Sequence, residues 1–104
     1  MRKSWMEIVF TKQAAKDFEK ISQYPSLKTK VQALLNLISE NPFENPPSYE
    51  KLMGFDGNVY SRRINIKHRL VYQVYEKENT VKIIRMWTHY EWWKAAIIGF
   101  FIWK

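Results

Sequence analysis

Apolar side chains follow two different periods in the first part of the chain, and these predict a strand followed by a helix. Residues 5–10 are a short run rich in aromatic and β-branched side chains, which is typical of a strand. Thr11 is expected to cap the helix that follows. The helix carries one apolar stripe, made by Ala14, Ala15, Phe18 and Ile21. Its charged residues are expected to face water: Lys12, Lys16, Asp17 and Lys20.

A second helix is predicted after a break at residues 24–26. Pro25 interrupts the helical pattern, and Ser26 is expected to cap the new helix. The apolar face of this helix is formed by Leu27, Val31, Leu34, Leu35 and Ile38. The two helices are expected to form a hairpin, and their stripes fit a hydrophobic core better than a functional surface.

The second half of the chain is rich in turns and strands. Residues 41–48 contain three prolines and are predicted to form a loop, and residues 54–58 form a glycine-bearing turn. Strand-like runs follow at residues 59–65, 69–75 and 81 to about 88, with a polar hairpin turn at 76–80. The order β-α-α-β-β-β predicts an α+β domain, with the helical hairpin packed on one face of a mainly antiparallel sheet.

Composition narrows the classes of function. The 104 residues allow one domain, and a net charge of +7 favours polyanionic partners, which are nucleic acid, an acidic membrane face or an acidic protein. Charge alone does not choose among them. The absence of cysteine excludes disulfides, thiolate metal sites and a cysteine nucleophile, and with two histidines we expect neither a metal nor a cofactor. The N-terminus lacks an apolar signal-peptide core, which favours a cytoplasmic protein.

Three kinds of side chain in the second half match the needs of RNA cleavage. Attack by a 2′-hydroxyl requires a base, an acid for the departing 5′-oxygen and a cation at the phosphoryl group. Glu50, Arg69 and His89 are of these types. Each also has a simpler interpretation, because carboxylates and strand arginines are most often only solvated. From spacing alone, the conclusion is a basic α+β domain that could bind RNA.

The register of the last hairpin decides whether Arg69 and His89 can contact one phosphate. We expect the hairpin to close with Tyr75 opposite Val81, which places Arg69 opposite Trp87. His89 would then be a diagonal neighbour of Arg69, roughly 7–8 Å away on the same face. A slip of one residue would separate the two side chains onto opposite faces.

Two sequence motifs resemble a known family. The segment Tyr60–Val74, with the sequence YSRRINIKHRLVYQV, is similar to the SRRI…HRLVY signature of YoeB (Txe-type) toxins of the RelE superfamily. Thr88-His89-Tyr90 resembles the His-Tyr that closes those proteins. Pro42-Phe43 and Glu50-Lys51-Leu52 also occur where that family has such residues. The resemblance covers nearly all of residues 5–90.

The resemblance implies a microbial-ribonuclease-like fold and a toxin that cuts mRNA on the ribosome. Glu50 would be the general base, His89 the general acid, Arg69 the phosphate ligand and Tyr90 a residue that orients the substrate. Other basic positions would contact RNA: Arg62, Arg63, Lys51 and His68. For His68 a structural, hydrogen-bonded role is a stronger interpretation than that of the catalytic acid. The partner would be an acidic YefM/Phd-like antitoxin, whose charge complements the +7 of this chain, and a homodimer is a further possibility.

The chain departs from the family pattern after Tyr90. Residues 1–91 are expected to form the toxin domain, and residues 92–104 an apolar extension too short to cross a bilayer as a helix. This extension could pack on the sheet, join a dimer contact, touch a membrane surface or be a read-through product. Met53 stands near a position where the family can carry a lysine. Two alternatives stay open, a non-catalytic RNA- or antitoxin-binding module of the same fold and a membrane-surface protein.

Overall fold

The chain folds into a five-stranded mixed sheet with two helices. The computed structural model describes residues 5–52 and 58–87. In chain order the elements are β1 (Glu7–Phe10), α1 (Lys12–Ile21), α2 (Pro25–Glu40), β2 (Glu50–Lys51), β3 (Val59–Arg63), β4 (Arg69–Tyr75) and β5 (Thr80–Arg85). The strand order in the sheet is β1-β5-β4-β3-β2, with β1 parallel to β5 and the other pairs antiparallel. The predicted α+β class and element order are confirmed.

The helices begin at different kinds of cap. Thr11 caps α1 as predicted, because its hydroxyl accepts a hydrogen bond from the backbone N–H of Ala14. The prediction that Ser26 caps α2 is wrong, since α2 already begins at Pro25 and Tyr24 occupies the capping position without a side-chain hydrogen bond. Proline favours the first turn of a helix, where its missing N–H costs nothing.

One face of the sheet packs on the two helices. The opposite face, which neither helix covers, is the open face. The main core joins α1, α2 and the inward side chains of the strands, among them Ala14, Ile21, Val31, Ile38, Leu70, Tyr72 and Ile83. A smaller cluster lies on the second, open face of the sheet, formed by Leu52, Val59 and Val71 with Ile84 against it. Because side chains alternate across a strand, each strand contributes to both faces.

Asp17 is buried, although its position in α1 predicted that it would face water. It is fully buried and accepts hydrogen bonds from the backbone N–H groups of Met86 and Trp87 and from the Arg85 guanidinium, whose Nε lies 2.8 Å from Oδ2. Burial acts to raise the pKa of the Asp17 carboxyl, but the bonds from Arg85, Met86 and Gln13 outweigh it and leave the pKa below its usual value. Asp17 thus fastens α1 to the end of β5.

The hairpin of β4 and β5 changes register along its length. Tyr75 pairs with Thr80 rather than with Val81, so the predicted register is wrong near the turn. A bulge between Val71 and Tyr72 then adds one residue on β5, and Val71 pairs with Arg85. The Val71–Arg85 pair has the predicted alignment, but β5 ends at Arg85, so the predicted pairing of Arg69 with Trp87 is not formed within the described strands.

β2 is an edge strand that the sequence pattern did not predict. Its two residues pair with β3, with Glu50 opposite Ser61 and Lys51 opposite Tyr60. This pairing brings Glu50 into the sheet beside the strands that carry the arginines. Within residues 5–52 and 58–87, no helix is long and apolar enough to cross a membrane.

Candidate active site

A pocket of about 370 Å³ opens on the face of the sheet away from the helices. Its lining residues are Ser48, Tyr49, Glu50, Arg63 and Arg69. They come from the loop before β2, from β2 itself and from the facing ends of β3 and β4. The pocket thus combines one carboxylate with two guanidinium groups, three of the residues that the sequence predicted for the site.

Arg69 is held from two sides. Its Nη2 lies 3.2 Å from Oε1 of Glu50, and its Nε donates to the Ser61 hydroxyl at 3.2 Å. The Arg69 side chain is only 10% exposed, whereas that of Glu50 is 54% exposed. The guanidinium is therefore fixed in the wall of the pocket, while the carboxylate remains accessible to a substrate.

Arg63 and Arg69 form a directly opposed cross-strand pair in the β3–β4 register. Two like charges in this position repel each other, which costs stability unless an anion compensates them. Glu50, one strand away opposite Ser61, supplies one negative charge. Among the described lining residues, two guanidinium groups and one carboxylate leave a net positive charge, which suits an anionic group such as a phosphate.

Arg62 does not lie at the pocket. It is fully buried on the helix side of the sheet, and its guanidinium donates to three backbone carbonyls and to the Tyr72 hydroxyl. The expected RNA contact does not fit this position, because neighbouring residues of a strand point to opposite faces and Arg63 takes the open one.

His68 and Lys51 also lie away from the pocket lining. His68 is buried, and its ring stacks on Trp87 with 4.3 Å between centroids. The expected RNA contact of His68 does not fit this buried position, which fits a structural histidine instead. Lys51 is exposed on the edge strand, opposite Tyr60, one position after Glu50 and hence on the other face.

The predicted acid His89 and its neighbour Tyr90 lie outside the described residues. The segment that leads to them is well anchored as far as Trp87. Besides the bonds to Asp17, Trp87 stacks between His68 and the ring of Tyr24, whose centroid is 5.8 Å away. The predicted proximity of His89 to Arg69 stays a prediction.

Three residues of the site were missed by the sequence analysis. Ser61 is fully buried and orients Arg69, and Ser48 and Tyr49 line the pocket beside Glu50. Ser61 could have been found, because it lies two residues before Arg63 on one strand and so shares its face.

Within residues 5–52 and 58–87, no group of three or more potential metal ligands occurs.

Comparison with known proteins extends this picture. A family model described as a YoeB-like toxin of bacterial type II toxin-antitoxin systems matches residues 10–90. Comparison with curated protein sequences gave no significant match.

Solved structures of toxins resemble the chain over most of its length. The structure of a YoeB dimer from Staphylococcus aureus is 36% identical, covers 84% of this chain and 100% of that chain, and gives a TM-score of 0.72. A YoeB/ParE toxin from Agrobacterium tumefaciens is 28% identical over 82% of this chain and 100% of that chain, with a TM-score of 0.73. A YoeB–YefM complex from S. aureus is 36% identical over 82% and 98% of the two chains, with a TM-score of 0.67.

Proposed function

The chain belongs to the YoeB-like toxins of bacterial type II toxin-antitoxin systems, and from this premise we propose that it is a metal-independent endoribonuclease that cleaves mRNA on the ribosome. The family membership confirms the resemblance carried by Tyr60–Val74. The observation that carries the proposed activity is the Glu50–Arg69 pair, 3.2 Å apart in an open pocket that also contains Arg63.

The proposed reaction begins when the scissile phosphate enters the pocket. Arg69 and Arg63 bind its non-bridging oxygens, and the phosphate takes over the contact that Arg69 makes with Glu50. The carboxylate of Glu50 is then free to accept the proton of the 2′-hydroxyl. Because the nucleophile belongs to the RNA, no metal is needed to generate it.

In the second half of the proposed reaction, His89 and Tyr90 act on the RNA. The 2′-oxygen attacks phosphorus, and the P–O bond to the 5′-oxygen breaks. His89 gives its proton to that oxygen, and Tyr90 orients the substrate. The products are a 2′,3′-cyclic phosphate and a 5′-hydroxyl. The increased charge on the phosphoryl oxygens is stabilised by the arginines, which are already in place before the reaction.

The proposed partners follow from charge and from the relatives. The S. aureus relative forms a complex with YefM, and an acidic antitoxin segment would complement both the net charge of +7 and the two pocket arginines. Another S. aureus relative is a dimer, so a homodimer is part of the proposal. Action on ribosomes would take place in the cytoplasm.

The test uses purified protein and translating ribosomes. Cleavage is mapped by primer extension, and the 3′ ends are analysed for cyclic phosphate. Glu50→Gln and His89→Ala should abolish cleavage, whereas Glu78→Gln, a matched change of an exposed turn carboxylate, should cleave at the wild-type rate. If Glu50→Gln and His89→Ala inhibit translation as well as the wild type does, the protein is a non-catalytic binding module.

A further inference from the structure

Arg62 is a buried cation, and most of its hydrogen bonds go to one loop. Its Nη1 donates to the carbonyl of Pro47 at 2.6 Å, and its Nη2 donates to the carbonyls of Pro42 at 3.0 Å and Glu44 at 2.8 Å. Its Nε donates to the Tyr72 hydroxyl at 3.0 Å. Four of the roughly five N–H groups of a guanidinium are thereby used, and three of the four bonds go to residues between α2 and β2.

Backbone carbonyls and aromatic rings, rather than carboxylates, surround this cation in the described part of the chain. Among the residues that the structure describes, no Asp or Glu forms an ion pair with Arg62. The guanidinium instead lies over the ring of Tyr49, 4.9 Å from its centroid. A buried charge is tolerated only when its hydrogen bonds are satisfied, so the carbonyls of the loop are required in their observed places.

Tyr72 completes the same network. Its hydroxyl accepts the bond from Arg62 and donates to the carbonyl of Pro42 at 2.9 Å. Burial raises the pKa of the Tyr72 phenol, and Arg62 only partly opposes this. The phenol therefore keeps the proton with which it bonds the loop.

The loop of residues 41–49 leads directly into Glu50. It is fixed near its start, at Pro42 and Glu44, and near its end, at Pro47, by a single side chain. Tyr49, the last residue of the loop, packs on the same guanidinium and also lines the pocket. Arg62 thus fixes the approach to Glu50 from the helix side of the sheet, while Arg69 contacts Glu50 from the open side.

We propose that Arg62 is a positioning residue, which holds the 41–49 loop so that Glu50 and Tyr49 keep their places in the pocket without contacting RNA itself. The proposal rests on the function proposed above, because Glu50 is taken as the base. A lysine cannot replace Arg62, since a single ammonium group has three donors and cannot reach acceptors spread around a planar fork.

The first test needs no RNA. Amide hydrogen exchange is compared between the wild type, Arg62→Lys, the milder Tyr72→Phe and the control Val31→Ala. Val31 is fully buried in α2, and its truncation weakens the core without removing a hydrogen bond of the loop. The reporters are the N–H groups of Phe43 and Glu44, which are hydrogen-bonded to Asn41. Their exchange should be faster in Arg62→Lys and Tyr72→Phe than in the wild type. In Val31→Ala it should be as slow as in the wild type.

The second test separates positioning from binding. Single-turnover cleavage on ribosomes is measured at a temperature where all four proteins are folded. Arg62→Lys should lower the maximal rate on the order of a hundredfold, the size of effect that a 1 Å displacement of a reacting group produces. The half-saturating concentration should stay within about twofold of the wild-type value. Tyr72→Phe should lower the maximal rate by a smaller factor.

Three results would overturn the proposal. They are unchanged exchange at Phe43 and Glu44, a rate no lower than that of Val31→Ala, and a raised half-saturating concentration at an unchanged maximal rate, which would mean that Arg62 binds RNA. If Arg62→Lys does not fold, Tyr72→Phe decides by the same criteria. Activity retained by Glu50→Gln would refute the proposed base instead, and the exchange result would still report on the loop.

Discussion

Arg63 and Arg69 lie directly opposite each other on β3 and β4, on the open face of the sheet. A protein that needed only stability would avoid two cations in this position. Arg69 is nevertheless packed into the wall, with its Nε on Ser61 and its Nη2 on Glu50. This arrangement fits the proposed phosphate site, and it is the basis for the first prediction.

Arg69→Ala should lower the cleavage rate much more than it lowers stability. A guanidinium aimed at a phosphoryl oxygen is worth roughly 3–4 kcal/mol by analogy with oxyanion donors, or on the order of a hundredfold or more in rate. Glu50, which would lose its partner, is 54% exposed in its side chain and stays hydrated. Ribosome cleavage and thermal melting of the same preparations measure the two effects.

Arg69→Lys serves as the graded control for this prediction. The ammonium group keeps the charge but lacks the planar fork, so it should recover only part of the rate. Lys30→Ala, which removes an exposed cation from α2, should have no effect on cleavage. Wild-type turnover by Arg69→Ala would remove Arg69 from the proposed site.

The sequence predicted the elements of the fold because their apolar periods are regular. The assignment of individual site residues was less complete, because two neighbours of the same type have different roles. Arg62 and Arg63 are adjacent and chemically identical, yet one is buried and the other lines the pocket. The alternation of side chains along β3 would have predicted this difference. Arg62 lies between Tyr60 and Ile64, which both belong to the core, so it shares their face of the sheet.

Other features depend on contacts between distant segments. Asp17 is buried only because the end of β5 supplies Arg85 and two backbone N–H groups, which no local pattern reveals. The bulge opposite Val71 shifts the register of β4 against β5 by one residue, and no local sequence signal marks its position. The roles of His89 and Tyr90 rest on the resemblance, because those residues lie outside the described part.

Cleavage should not require a divalent cation. The proposed nucleophile is the 2′-hydroxyl of the RNA, activated by Glu50, and the arginines supply the positive charge that a metal would otherwise provide. Activity should therefore persist in excess EDTA, with ribosomes stabilised by polyamines. A strict need for one particular divalent ion, restored by that ion alone, would contradict this mechanism.

Asp17→Asn should destabilise the fold. The substitution leaves the Arg85 guanidinium, whose side chain is 27% exposed, without its carboxylate partner. Removing one member of a buried pair costs about 3–5 kcal/mol, and we expect the lower end because Arg85 retains some contact with water. Urea unfolding at neutral pH gives the difference, with Glu78→Gln as the control that changes an exposed carboxylate.

The same residue predicts a pH dependence. The pKa of the Asp17 carboxyl is lowered in the folded protein, so its ionised form stabilises the fold. This contribution is fully present above the unfolded pKa, about 3.9, and is lost as the pH falls through the lower folded-state value. The stability difference between wild type and Asp17→Asn should therefore be constant above about pH 5 and shrink below pH about 4. A stability difference that grows on acidification would mean that the ionised Asp17 carboxylate does not stabilise the fold.

Deleting residues 92–104 should leave fold and cleavage intact and improve solubility. The family match ends at residue 90, and among the described residues the core extends to Met86, with Trp87 packed against it. The deleted segment is strongly apolar, with only two lysines, and an exposed surface of that kind drives self-association. If it packs on the sheet or across a dimer contact, its burial would contribute several kcal/mol. The full-length and 1–91 proteins are compared by thermal melting, gel filtration and ribosome cleavage. A large loss of stability in the 1–91 protein would show that the segment is part of the domain.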